Sequence, residues 1–93
     1  MNDDKNADTL TERLISYEQL LKYLKQGREI EFIYNGTEYF ISHDKKGRTL
    51  WCNKTQLSDY YQDDISTVNF IKIEGTSIAN LFKQQLVKIQ TIF

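Results

Sequence analysis

The sequence contains no proline, one cysteine and one histidine. Without proline there is neither a stiff interdomain spacer nor a polyproline recognition motif. A single thiol, Cys52, cannot close a disulfide within the chain, so the fold must stand on packing alone. One imidazole, His43, and one thiol are too few for the His/Cys sets that hold zinc, and no metal or other cofactor is expected. No stretch approaches the roughly 20 apolar residues of a membrane span. The opening residues Met1-Asn2-Asp3-Asp4-Lys5-Asn6 lack the apolar region of a signal peptide, which predicts a cytoplasmic protein with no membrane partner. Charge of one sign is also missing. Twelve basic against 13 acidic residues leave a net charge of −1, which argues against a protein that wraps nucleic acid.

What is present is apolar and aromatic. Of 93 residues, 40% are hydrophobic and 13% aromatic, the composition of a folded domain and not of a disordered tail. This length predicts one domain, residues 10–93, after a flexible lead-in at 1–9. Ser16 and Gln19 have the spacing of a capping box, flanked by Ile15 and Leu20 as a hydrophobic staple. Tyr17, Leu20, Leu21 and Leu24 then recur at helical spacing, and Gly27 supplies a stop, predicting a helix over 17–26. Thr9 and Glu12 repeat the capping spacing and predict a further short helix near 10–14.

The strongest local signal follows. Arg28–Tyr34 and Thr37–His43 alternate apolar and polar residues on either side of Asn35-Gly36, a pair suited to the positive φ angles of a two-residue hairpin. That turn sets Tyr34 against Thr37, Phe32 against Tyr39 and Ile30 against Ile41. Asp44-Lys45-Lys46-Gly47 is a second turn, and Arg48–Lys54 a third strand. If His43 opposes Arg48, then Leu50 and Cys52 join the core face and Trp51 lies opposite Phe40 on the other face. A bulge at Gly47 would exchange the faces. Further on, 63–72 reads either as a helix capped by Asp63 or Asp64 or as a β-branched strand. Ile78, Leu81, Phe82 and Leu86 predict a helix over 77–86 after a break at Gly75-Thr76. Residues 87–93 suit helix and strand equally. The expected architecture is α+β: an N-terminal helix, a three-stranded antiparallel meander, and C-terminal helices packed on one sheet face.

The runs Ser16-Tyr17-Glu18-Gln19-Leu20-Leu21, Gln26-Gly27-Arg28-Glu29-Ile30-Glu31-Phe32 and Tyr34-Asn35-Gly36-Thr37-Glu38-Tyr39-Phe40-Ile41-Ser42, with Ile73-Glu74-Gly75-Thr76-Ser77-Ile78 later, carry a resemblance. They resemble a family of small α+β proteins of Gram-positive bacteria and their phages and mobile elements. The matched motifs are a cap, a stop and a turn. The resemblance therefore implies the fold, tilts 63–72 toward helix, and carries over no activity.

Catalytic constellations are sparse. His43 and Cys52 fall four residue positions apart in the expected register, roughly 13 Å and too far for a nucleophile–base pair. Glu29, Glu31 and Glu38 lie on the solvent side of an open meander, which offers no cleft for paired acids. The glycines are stops and turns and form no phosphate-binding fingerprint. No catalytic or cofactor-binding residue is assigned, and the expectation is a protein that is not an enzyme.

Two surfaces remain. Ile33, Phe40 and Trp51 form an apolar strip on the face away from the core, rimmed by Glu29, Glu31 and Glu38. Such aromatic centres with charged rims mark protein-binding surfaces, for a protein partner or a homodimer. Lys45, Lys46, Arg48 and Lys54 around Trp51 form the second, a candidate contact for single-stranded nucleic acid that is not favoured. Another alternative is a phage or mobile-element counter-defence factor that inhibits a host enzyme or sequesters a nucleotide signal.

Overall fold

The structure, a computed structural model, describes residues 14–93. The expected lead-in at 1–9 lies outside the described residues, as does the short helix near 10–14 except for Leu14. The described residues form three helices and two antiparallel sheets. Helix α1, Tyr17–Lys25, starts at the expected capping box: Ser16 Oγ accepts from the Gln19 amide at 3.0 Å, and Gln19 Oε1 accepts from the Ser16 amide at 3.0 Å. Two backbone bonds close its far end, Gly27 N–H to Leu24 O at 2.9 Å and Arg28 N–H to Tyr23 O at 3.1 Å. Together they are a Schellman stop.

Strands β1 (Ile30–Tyr34) and β2 (Thr37–Ile41) pair in the register set by the turn, with Phe32 opposite Tyr39 and Ile30 opposite Ile41. Asn35 and Gly36 have φ angles of 54° and 79°, the left-handed pair that brings the strands back with matching twist. The Gly47 turn keeps the register. Asp44 and Gly47 pair through both backbone bonds, and β3 (Leu50–Cys52) sets Leu50 against Ile41 and Trp51 against Phe40. Gly47 has φ 115°, and a Cβ there would overlap the Tyr61 carbonyl, so the chain needs glycine on both counts.

The main sheet is larger than the three strands read from sequence. β4 (Thr55–Gln56) adds to β3, and β7 (Val87–Ile92) adds antiparallel to the free side of β1, giving the order β4-β3-β2-β1-β7. Of residues 87–93, Val87–Ile92 thus resolve as strand. Their alternation places Val87 and Ile89 in the core beside Tyr34 and Phe32, burial that a continued helix would forgo.

Helix α2 is Asp64–Phe70, capped by Asp63. Gly75 is not a helix break. Glu74-Gly75, at φ 53° and 87°, turns a small hairpin of β5 (Lys72–Ile73) and β6 (Thr76–Ser77). Ser77 then caps α3, Ile78–Lys83, which ends three residues before the expected 86. Gln85 N–H bonds Phe82 O and Leu86 N–H bonds Leu81 O, a second Schellman stop with Gln85 at φ 56° where glycine is usual. No glycine marks this stop in the sequence.

All three helices contribute to one core with the sheet. Leu20, Leu24, Val68, Ile78, Leu81 and Phe82 meet Ile30, Phe32, Ile41, Leu50, Val87 and Ile89. Phe32 stacks on Tyr39 with ring centroids 5.7 Å apart and meets Phe82 edge-on at 5.5 Å. Each such fully buried side chain contributes about 1.5–3 kcal/mol.

Candidate functional site

Strand alternation decides what the opposite face of the main sheet carries. Thr91, Glu31, Phe40, Trp51 and Gln56 form one cross-strand row; Lys88, Ile33 and Glu38 form the next. Ile33, Phe40 and Trp51 are half-buried and stand outside the core cluster. Glu31 is half-buried and Glu38 exposed. The structure therefore brings these five residues named from sequence onto one surface. Among the described residues no helix packs on it, since α1, α2 and α3 all join the core on the other side.

Two side chains shape this surface. The Trp51 indole donates from Nε1 to Ser42 Oγ at 3.1 Å, which holds the ring toward the β2–β3 turn. Phe93 was not foreseen. Its amide donates to Glu29 O at 2.8 Å, and the Arg28 Nε donates to its carbonyl at 3.2 Å. So fixed, its ring meets Phe40 edge-on, with centroids 5.9 Å apart and an interplanar angle of 84°. The Phe93 side chain stays 60% exposed. Glu31, Glu38, Tyr39, Phe40, Asn53 and Phe93 enclose a depression of about 370 Å³. No sequence signal for Phe93 existed until β7 was known to be a strand beside β1.

The basic cluster does not assemble. Arg48 is 1% exposed, the one buried charged residue among those described. Its Nε donates to Asp64 Oδ1 at 2.8 Å, Nη1 to Arg28 O at 3.0 Å, and Nη2 to Leu24 O at 2.7 Å. The guanidinium thus ties β3 to α1 and α2 and is closed to phosphate. The alternation that puts Leu50 and Cys52 on the core face puts Arg48 there too, so the register itself separated Arg48 from Trp51. Lys45 and Lys46 are exposed in the turn before β3, and Lys54 in the turn after it, at opposite ends of the strand. Lys46 Nζ instead lies 5.5 Å from the Tyr60 ring centroid.

Neither sequence candidate for chemistry is drawn into a site. His43 is exposed, and its amide donates to Glu29 Oε2 at 2.9 Å. Cys52 is a free thiol, half-buried against the core. No group of three potential metal ligands occurs among the described residues. No described helix is long and apolar enough to cross a membrane. Burial, with lesser contributions from Cys52, Glu74 and Tyr34, raises the Tyr39 hydroxyl above the usual phenol range.

A wider groove of about 520 Å³ runs between the segment after β4 and α2, lined by residues including Leu57, Asp59, Tyr61, Phe70 and Lys72. Leu57 and Phe70 are 48% and 64% exposed at its margin. No protein-family model, no curated protein and no solved structure matches the chain.

Proposed function

We propose that this protein is a non-enzymatic binding module that docks a protein partner, or a second copy of itself, on the outer face of its main sheet. The observation that carries the reading is the aromatic set Phe40, Trp51 and Phe93 on a sheet face that no described helix covers. A half-buried indole fixed by a hydrogen bond, as Trp51 is, makes a low-entropy anchor, the kind of side chain that dominates binding energy. Ile33 extends the apolar centre, and Glu31 and Glu38 supply a charged rim. The same reading has the protein acting in the cytoplasm, where the free Cys52 stays reduced.

The test pairs wild type with Phe40→Ala/Trp51→Ala. Sedimentation equilibrium over a wide concentration range reads self-association, and selection of displayed random peptides reads partner docking. Loss of either in a double variant that keeps its fold supports the reading. A monomer that selects no peptide dependent on Phe40 and Trp51 refutes it.

A further inference from the structure

Resting on that docking reading, we infer that the occupant of the face is a basic peptide segment, which inserts an arginine or lysine side chain into the depression between Phe40, Phe93, Glu31 and Glu38. The depression has the chemistry of a cation site on three counts. Its volume of about 370 Å³ is bounded by two carboxylates and two phenyl rings. The rings meet edge-on, so a ring face stays open, and a cation gains from a π face within about 6 Å. Among the described residues no lysine or arginine lies within 4 Å of either carboxylate, since the one such ion pair is Arg48–Asp64. Lys88, the basic residue in the neighbouring row, is separated from Glu38 by Ile33. Two strand spacings, about 9.5 Å, leave Glu38 available. An arginine fits best, because its planar guanidinium can lie on a ring while its edge bonds a carboxylate.

A second copy is the weaker occupant. Face-to-face pairing would set Glu31 and Glu38 against acidic groups of the other copy, and like charges across an interface are repulsive. Area argues the same way. The five strands, of two to six residues each, span about 330 Å² at the usual strand spacing and rise, under half of the roughly 800 Å² per partner of a stable interface. A peptide needs less surface than a subunit does.

The experiment is selection of displayed random peptides on wild type, followed by titration of the selected synthetic peptides into wild type and Glu31→Gln/Glu38→Gln. The glutamines keep shape and remove charge on a face whose carboxylates take no buried partner, so the fold is retained; amide NMR spectra confirm it. The expected result is peptides rich in arginine or lysine, with shifts centred on Glu31, Glu38, Phe40, Asn53 and Phe93. Their affinity falls at least about tenfold in the double glutamine variant and falls with added salt. Peptides that need Phe40 and Trp51 but carry no basic residue, or that bind the glutamine variant equally, overturn the inference and leave the docking face standing. A dimer dissociated by Phe40→Ala also overturns it, in favour of a second copy. A monomer with no face-dependent peptide removes both the inference and the reading beneath it.

Discussion

The two faces of the main sheet are built from the same strands and differ in what finishes them. On β2, Ile41 is fully buried among helices, and its neighbour Phe40 is half-buried with its ring against Phe93. On β3, Leu50 points into the core, as Arg48 does just before the strand, and Trp51 points out. The inner face takes in a charged guanidinium and gives each of its three nitrogens an acceptor. Among the described residues, the outer face gives neither Glu31 nor Glu38 an ion pair. Stability accounts for the inner face; it does not account for aromatic rings beside those carboxylates on the outer one.

The inner face is most sharply tested at Arg48. Arg48→Ala strips the partner from Asp64 and from the carbonyls of Leu24 and Arg28 and opens a cavity between β3, α1 and α2. Asp64 is 30% exposed and can be rehydrated, so the loss falls mainly on the backbone carbonyls that lose a donor, about 1–3 kcal/mol for each buried acceptor. In a domain of this size that is a large share of the total stability. Urea denaturation should show that loss. Arg48→Lys should recover part of it, because an ammonium replaces the charge but cannot span three acceptors in a fixed fork. An alanine variant as stable as wild type would mean that the guanidinium does not join the layers.

Adjacent residues on β2 give the direct contrast. Ile41→Ala should cost about 2–5 kcal/mol, the range for truncating a fully buried aliphatic side chain. Phe40→Ala should cost about 1 kcal/mol, the usual effect of a change outside the core, while abolishing docking. Equal losses in denaturation would show that the outer face is packed like the inner one and would count against a binding role.

Much of this contrast was legible in the sequence because local chemistry agreed with alternation. The capping box, the Asn35-Gly36 turn and the alternation through Phe32 and Trp51 set one register, and that register carried through Gly47 without a bulge. The architecture was less legible wherever it depended on contacts distant in sequence. Val87–Ile92 becomes a strand because the free side of β1 offers it backbone partners, and only then does Phe93 reach Phe40. Gly75-Thr76 resembled a helix break because β5 and β6 have two residues each, too short for any alternation to register. Arg48 has the parity of Leu50 and Cys52 and therefore faces the core, although its charge groups it in sequence with the exposed lysines.

A smaller effect is expected where the helical layer returns to the sheet. Gln85 holds φ 56° at the end of α3, directly before β7. A side chain in that region costs roughly 1 kcal/mol relative to glycine. Gln85→Gly should therefore stabilise the domain by about 0.5–1 kcal/mol in the same denaturation assay, with the gain reduced by glycine's greater freedom when unfolded. A loss would mean that the Gln85 side chain makes a contribution beyond occupying the turn.

The smallest effect separates the two layers by pH. Asp63 caps α2 by accepting from the Ser66 amide at 2.7 Å, and that backbone bond, with help from the Ser66 side chain, lowers its carboxyl below the ordinary aspartate range. A carboxyl lowered on folding lends stability that is fully present above its unfolded pKa and is lost as pH falls through its folded pKa. The cap should thus hold at neutral pH and weaken in acid, from the range where an unfolded aspartate titrates down through the lower folded pKa. Hydrogen exchange should show this first at Ser66 and Thr67, whose amides close the first turn, before the amides of β1 and β2 respond. Asp63→Asn keeps the acceptor and removes the titration, so its exchange at these amides should not change with pH beyond the intrinsic rate. If acid instead releases the sheet and α2 together, the helical layer has no opening of its own, and the inner face unfolds as one unit with the sheet.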